Sequence, residues 1–327
     1  MGLNVLPKYF QPWIQWLQTL WKFSRPHTII GTSLSVLGLA AIALAASLQA
    51  KGSGSGLASI AQIPWPQTIG LILSALIPSL CANVYIVGLN QLKDVEIDRV
   101  NKPGLPLASG DFSRTEGVAI VIATGILALV LSAMGGQFLF LTVLASIGIG
   151  TAYSLPPLRL KRFPFWAALC IFGVRGLVVN LGFFLHFQEH LGGSGAIPLQ
   201  VWALTAFVIL FAFAIAIFKD IPDAKGDRLF QIGTLALRLG IPAVFNLALW
   251  VLTGGYLLLI AAAALGSIPV QPLFSIATHL GLLVWLWLRS SRVDLEDNRS
   301  ISQFYQFIWK LFFLEYLLFP LACLLTI

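Results

Sequence analysis

Apolar residues recur along this chain in blocks, each broken by a short polar or glycine-rich stretch. A helix needs about 20 such residues to cross the roughly 30 Å hydrocarbon core of a bilayer. The blocks predict nine membrane-spanning helices, at about residues 28–50, 68–89, 117–134, 137–155, 164–186, 199–218, 241–262, 269–288 and 304–326. A different pattern precedes the first block. Phe10, Trp13, Ile14, Leu17 and Trp21 share one helical face, with Gln11, Gln15, Gln18 and Lys22 elsewhere. That spacing predicts an amphipathic helix, either lying on the membrane surface or packed on the domain as a tail.

The expected organisation is an interfacial or cytoplasmic segment over residues 1–27 and one nine-span domain over residues 28–327. The fold class is all-α, a polytopic membrane bundle. Residues 1–27 lack a signal-like apolar region and a small-residue cleavage site, so no cleavable leader is expected. Composition agrees: 58% of residues are hydrophobic and 10% charged, against about 25% charged in soluble domains.

Charge sets the orientation. The segments before span one and after spans two, four, six and eight carry all but three of the 20 basic residues, and the opposite connections carry only Lys51. By the positive-inside rule the N-terminus is cytoplasmic and the C-terminus outside. The outer connections, residues 52–56, 134–137 and 191–195, are rich in glycine and read as turns. A net charge of +7 spread over short loops does not point to a nucleic acid. Cys81, Cys170 and Cys323 lie inside apolar spans without metal or redox spacing, and read as small packing residues.

Two acidic ladders stand at the ends of apolar blocks on the cytoplasmic side. Residues 90–99 read NQLKDVEIDR and residues 219–228 read KDIPDAKGDR, so D-x-x-x-D-R occurs in both. Asn90, Asp94 and Asp98 are spaced i, i+4, i+8 and share one helical face, while Glu96 points away into solvent. Asp220, Asp223 and Asp227 are spaced i, i+3, i+7; Pro222 and Gly226 lead us to expect a helix break among them. Carboxylates beside a membrane are costly unless they hold cations. Paired hard-oxygen arms with basic residues nearby suit Mg²⁺ shared with a phosphorylated ligand. Bland pairing with Lys93, Arg99, Lys225 and Arg228 is the alternative. A cation-coupled transporter would also carry membrane carboxylates, but near the midplane and often on inverted repeats.

At these residues the chain resembles the UbiA-type membrane prenyltransferases, with their N-x-x-x-D-x-x-x-D and later D-x-x-x-D motifs. Residues 24–28 (SRPHT), 90–110 (NQLKDVEIDRVNKPGLPLASG), 152–162 (AYSLPPLRLKR) and 218–227 (FKDIPDAKGD) look like the homogentisate prenyltransferases of that superfamily, and the start of the chain like their cyanobacterial members. Chlorophyll synthases are similar but favour N-D-x-x-D-R, where this chain has Gln91 and Val95. The resemblance implies Mg²⁺-dependent transfer of a phytyl group from phytyl diphosphate to homogentisate with decarboxylation, giving 2-methyl-6-phytylbenzoquinol. Ring attack at the carbon bearing the acetate arm is the expectation. A geranylgeranyl or solanesyl donor is the alternative.

Carried over, Asp94 and Asp98 would bind one Mg²⁺, and Asp223 and Asp227, with Asp220, a second, both bridged to the prenyl diphosphate. The four paired aspartates are the expected catalytic residues. Asn90, Lys102, Tyr153, Arg159, Lys161 and Arg228 would contact substrate. Partners implied are the prenyl diphosphate, homogentisate and membrane lipid, in a cyanobacterial inner or thylakoid membrane; oligomeric state stays open. Arg175, about 16 Å into span five, could serve the diphosphate, the acceptor carboxylate, or a structural pair with Glu315. His27, His186, His190 and His279 read as plain interface residues.

Overall fold

The computed structural model describes residues 11–50, 63–193, 195–230 and 233–326, with every side chain among them except that of Lys225. Lys8, Phe10, Lys51 and the 52–56 turn therefore lie outside the described residues. Among the described residues the chain is helical, without a strand. Nine helices among the described residues are long and apolar enough to cross a membrane, as in a multi-pass membrane protein. In order, α1 is Gln11–Phe23, α2 Pro26–Ala50, α3 Trp65–Asn101, α4 Arg114–Met134 and α5 Gln137–Ser154. Then come α6 over Pro164–His190, α7 Leu199–Leu229, α8 Ile241–Ala264, α9 Pro272–Ser290 and α10 Asn298–Leu324.

Two helices outrun their apolar blocks. α3 has 37 residues, roughly 55 Å at 1.5 Å per residue, so its last turns project beyond the hydrocarbon and carry the first ladder. α7 has 31 residues and carries the second. The expected break at Pro222 and Gly226 does not occur, because α7 runs through both. Pro222 removes one ladder donor, but tertiary packing holds the turn: the Gly226 N–H donates to Asn101 Oδ1 at the end of α3, 2.9 Å away.

In a bilayer lipid competes equally for apolar surface, so packing quality decides association. Ile122, Ile126 and Val130 of α4 and Trp250 and Leu258 of α8 face outward. The interior is aromatic instead, with Phe211, Phe218, Tyr256, Phe304, Phe312 and Tyr316 buried where α7, α8 and α10 meet. α2 and α10 approach closely at Gly38, where a Cβ would lie 2.9 Å from the Tyr316 carbonyl oxygen.

α1 is helical and packs on the domain, as in the second of the two expectations made for it. Trp16 and Phe23 pack on Phe112 in the loop after α3, at ring distances of 6.0 and 5.7 Å. Trp13, Leu17 and Trp21 stay exposed on the other side, a face suited to the membrane interface.

Candidate active site

The two ladders converge. Asn90, Asp94 and Asp98 of α3 and Asp220, Asp223 and Asp227 of α7 line one cavity of about 90 Å³. Five carboxylates and four cations face it, the cations being Arg25, Lys102, Lys161 and Lys219. Glu96 is exposed and pairs with Arg99 at 2.8 Å, so it belongs to the surface. Asp94 itself leaves helical geometry (φ −116°, ψ 18°), bending α3 where the ladder meets its partners.

Each arm is held by cations from loops distant in sequence. Lys161 and Arg159, from the turn after α5, pair with Asp94, the arginine at 3.3 Å. Asn90 Nδ2 donates to Asp94 Oδ2 at 3.0 Å, and Arg25 Nη2 donates to Asn90 Oδ1 at 3.3 Å. Lys102 Nζ donates to both oxygens of Asp223, at 2.6 and 2.5 Å. Arg25 and Arg159 have φ of 52° and 36°. Left-handed backbone costs a bulky residue roughly 1–3 kcal/mol and clusters at functional sites; both strained arginines aim at the α3 ladder.

Electrostatics mark this as a site for added cations. Asp227 lies beyond the crossing part of α7, and burial, then the carboxylates of Asp223 and Asp220, push it up to about 7. Burial pulls Lys102 and Lys161 down, against the upward pull of Asp223 and Asp94 respectively. Asp98 Oδ2 is buried without a hydrogen-bond partner, a costly state for a carboxylate oxygen. Among the described residues no three His, Cys, Asp or Glu side chains converge as a protein-only metal cage. Mg²⁺ does not need one: it takes one or two carboxylates and fills the rest with water and phosphate oxygens. The donor set and the orphaned oxygen fit that ion.

The cavity opens inward into a chamber of about 250 Å³. Arg25, Asn90, Tyr153, Ile171, Ala216 and Lys219 line both spaces and form the junction. Beyond it, Ile86, Val87, Val143, Ile149, Val179 and Phe183 line the chamber from α3, α5 and α6, interspersed with Ser79, Asn83, Thr142 and Ser146 of α3 and α5. His27, Thr28, Thr32, Ser35, Tyr305 and Trp309 make a polar and aromatic side, on α2 and α10.

This architecture matches known proteins. The UbiA prenyltransferase family matches residues 52–311, a stretch that contains both ladders. The chain belongs to that family. It is 50% identical over 306 residues to a homogentisate phytyltransferase of Synechocystis, covering 94% of this chain and 96% of that one. It is 42% identical over 310 residues to homogentisate phytyltransferase 1 of Arabidopsis thaliana, covering 93% and 75%. A solved UbiA homologue from Archaeoglobus fulgidus, bound to GPP and Mg²⁺, superposes with a TM-score of 0.61 at 17% identity, covering 94% and 100%. At that identity the likeness is one of fold.

Most of the expected site residues meet here. All five aspartates, Asn90, Lys102, Tyr153 and Lys161 line the cavity, and Arg159 reaches it through Asp94. Arg228 does not, being exposed on the outer side of α7. The Arg175–Glu315 pair is also corrected. Glu315 is fully buried against His279 at 3.4 Å, and Arg175 lies over Trp309 and Phe312 instead. Three of the four histidines are not plain interface residues: His279 serves that pair, His186 is fully buried, and His27 lines the chamber 4.8 Å from Trp309, whereas His190 is exposed at the end of α6. Arg25, Lys219 and Asn101 were missed. An arginine held just before Pro26 at a helix start was the available signal for Arg25, since the residue before proline is conformationally restricted. Lys219 opens the second ladder itself, beside Asp220, and nothing local marked Asn101.

Proposed function

We propose that this protein transfers a phytyl group from phytyl diphosphate to homogentisate with loss of carbon dioxide, giving 2-methyl-6-phytylbenzoquinol. The observation that carries this is the closure of two carboxylate arms over a cavity that continues into a larger chamber with a predominantly apolar surface. That is the shape of a diphosphate head site with a lipid-tail site behind it. The relatives named above support the particular donor and acceptor.

Asp94 and Asp98 would hold one Mg²⁺, and Asp223 and Asp227, with Asp220, a second. Bound there, the ions supply the positive charge that a departing diphosphate requires. The protein's own cations and carboxylates nearly balance, so a diphosphate trianion enters favourably only together with metal. Lys102 and Lys161 cap Asp223 and Asp94, and with metal held by those carboxylates they would be free to donate to phosphate oxygens. Asn90 and Arg25 fix the α3 arm at the junction, and Tyr153 lines the same point. Apolar residues below exclude water from the allylic cation, and the rings of Tyr305 and Trp309 offer faces worth roughly 0.5–2 kcal/mol to it.

The acceptor ring then attacks. Attack at the carbon bearing the acetate arm, the expectation above, cannot give a 2-methyl-6-phytyl pattern, because methyl and phytyl would share one carbon. The free ring position on the other side of the same hydroxyl must be the nucleophile. That carbon loses its proton; the arm loses carbon dioxide, and its remaining carbon takes up a proton to become methyl.

The distribution of basic residues supports a cytoplasmic N-terminus and a cytoplasmic metal site. Purified protein, Mg²⁺ and labelled homogentisate should give prenylated, decarboxylated quinol, fastest with phytyl diphosphate in a panel that includes geranylgeranyl and solanesyl diphosphates. A faster rate with either of those would reassign the donor, and no product with any would overturn the reading.

A further inference from the structure

Arg175 is a cation without an anion. It sits on the π-helical turn Gly173–Val178 in the middle of α6, a wider turn that recurs at functional sites. Among the described residues it makes no ion pair. Its guanidinium carbon lies 4.9 Å from the Trp309 ring centre and 5.4 Å from that of Phe312. A Cβ on Gly31 would come within 3.1 Å of its Nη1, so a bare glycine on α2 leaves it room. Glu315, the one acid deep in α10, is occupied by His279. A guanidinium at membrane depth is expensive unless an anion meets it.

Its position says which anion. Arg175 lines the inner chamber but not the carboxylate cavity, where Arg25, Lys102, Lys161 and Lys219 already face the diphosphate position. Ile171, four residues earlier on the same helix, lines both spaces. Arg175 is therefore about 6 Å deeper than the junction, roughly the reach of a carboxymethyl arm from a ring held there. It stands against Trp309, which itself packs on His27, at the polar and aromatic part of the lining.

We propose that Arg175 anchors the carboxylate of the acceptor, an arylacetate, and so holds the ring at the junction, beside the carbon that the diphosphate leaves. The planar fork can donate to both carboxylate oxygens, with Trp309 and Phe312 packed against its face. The tail and the acceptor arm then share one chamber. This inference rests on the homogentisate reading above.

The test measures equilibrium binding and turnover separately in wild type, Arg175→Gln and Arg175→Lys. Ligands are labelled homogentisate, its methyl ester, and phytyl diphosphate with Mg²⁺. Loss of a charged hydrogen-bonding partner should weaken homogentisate binding roughly 10–100-fold in Arg175→Gln, and less in Arg175→Lys. Binding of the ester and of phytyl diphosphate should be unchanged, which also shows that the variants are folded. Wild type should prefer homogentisate to the ester, and Arg175→Gln should not. Equal homogentisate binding by wild type and Arg175→Gln would overturn the anchor while leaving wild-type turnover, and hence the function, intact. Parallel loss of phytyl diphosphate binding would move Arg175 to the donor and overturn it too. If wild type neither binds nor turns over homogentisate, the functional reading falls and takes the anchor with it.

Discussion

Gly226→Ala should impair metal use without unfolding the protein. A Cβ there would lie 2.5 Å from Asn101 Nδ2 and 2.6 Å from Cγ, closer than atoms can approach. The clashing atoms are the end of a flexible side chain, so the clash is relieved by displacing Asn101, and the 2.9 Å bond from the Gly226 N–H is lost. That bond contributes about 1 kcal/mol net. Alanine in place of glycine inside a helix returns about 1 kcal/mol. The two offset each other, and the melting temperature should hardly move. What is lost is the pin between α3 and α7, three residues from Asp98 on one side and one residue from Asp227 on the other. If the full ~1 kcal/mol is withdrawn from the metal-bound arrangement, half-saturating Mg²⁺ rises about fivefold. Asn101→Ala should reproduce that rise without the steric cause, and the double variant should match either single one, because all remove the same contact. A Mg²⁺ titration of initial rates on the three variants, with melting curves alongside, checks this. Unchanged Mg²⁺ dependence in Gly226→Ala, or additive effects in the double variant, would refute it.

Other outcomes follow from the same geometry. Asp94→Ala, Asp98→Ala, Asp223→Ala and Asp227→Ala should each lose most turnover while inserting normally, and EDTA should abolish the wild-type rate; near-normal rates in any two variants would contradict paired metal arms. Asp227 is held protonated up to about 7 without metal, and a proton on it competes with Mg²⁺. Below that pH, half-saturating Mg²⁺ should therefore rise by about tenfold per unit of acidification, and a flat profile between pH 5 and pH 7 would remove Asp227 from the metal site. Glu315→Leu strands His279 and should destabilise the protein by about 3–5 kcal/mol; His279→Leu in the same chain should recover melting in detergent, and recovery by Arg175→Met instead would restore the rejected pairing. On a cysteine-free background, cysteines at Ser109 and Leu229 should label from the cytoplasmic side and one at Met134 from the other, and opposite labelling of the first two would break the common cavity.

What could be read beforehand was whatever repeats or has a period. The apolar blocks placed the nine candidate crossing helices found among the described residues, and the i, i+4, i+8 spacing of Asn90, Asp94 and Asp98 put them on the face that lines the cavity. Long-range pairing was another matter. Lys102 and Asp223 are 121 residues apart, and no local pattern says that this lysine, rather than Lys225 or Arg228, reaches that carboxylate. Pro222 and Gly226 are helix breakers by intrinsic preference, and only the arrival of Asn101 from another helix lets α7 continue. Glu315 had two cationic candidates in other spans, and the relative rotation of α6, α9 and α10 decided for His279. A π-helical turn shifts every later side chain around the helix axis, so the direction taken by Arg175 was beyond any regular period.

The central claim is that both ladders grip one diphosphate through divalent metal. Equilibrium binding of labelled phytyl diphosphate across a Mg²⁺ series, in wild type, Asp98→Ala and Asp227→Ala, tests it most directly. The account predicts Mg²⁺-dependent binding in wild type and its loss in both variants, although one residue lies on α3 and the other on α7. Binding that needs no metal, or that survives removal of either arm, would contradict it.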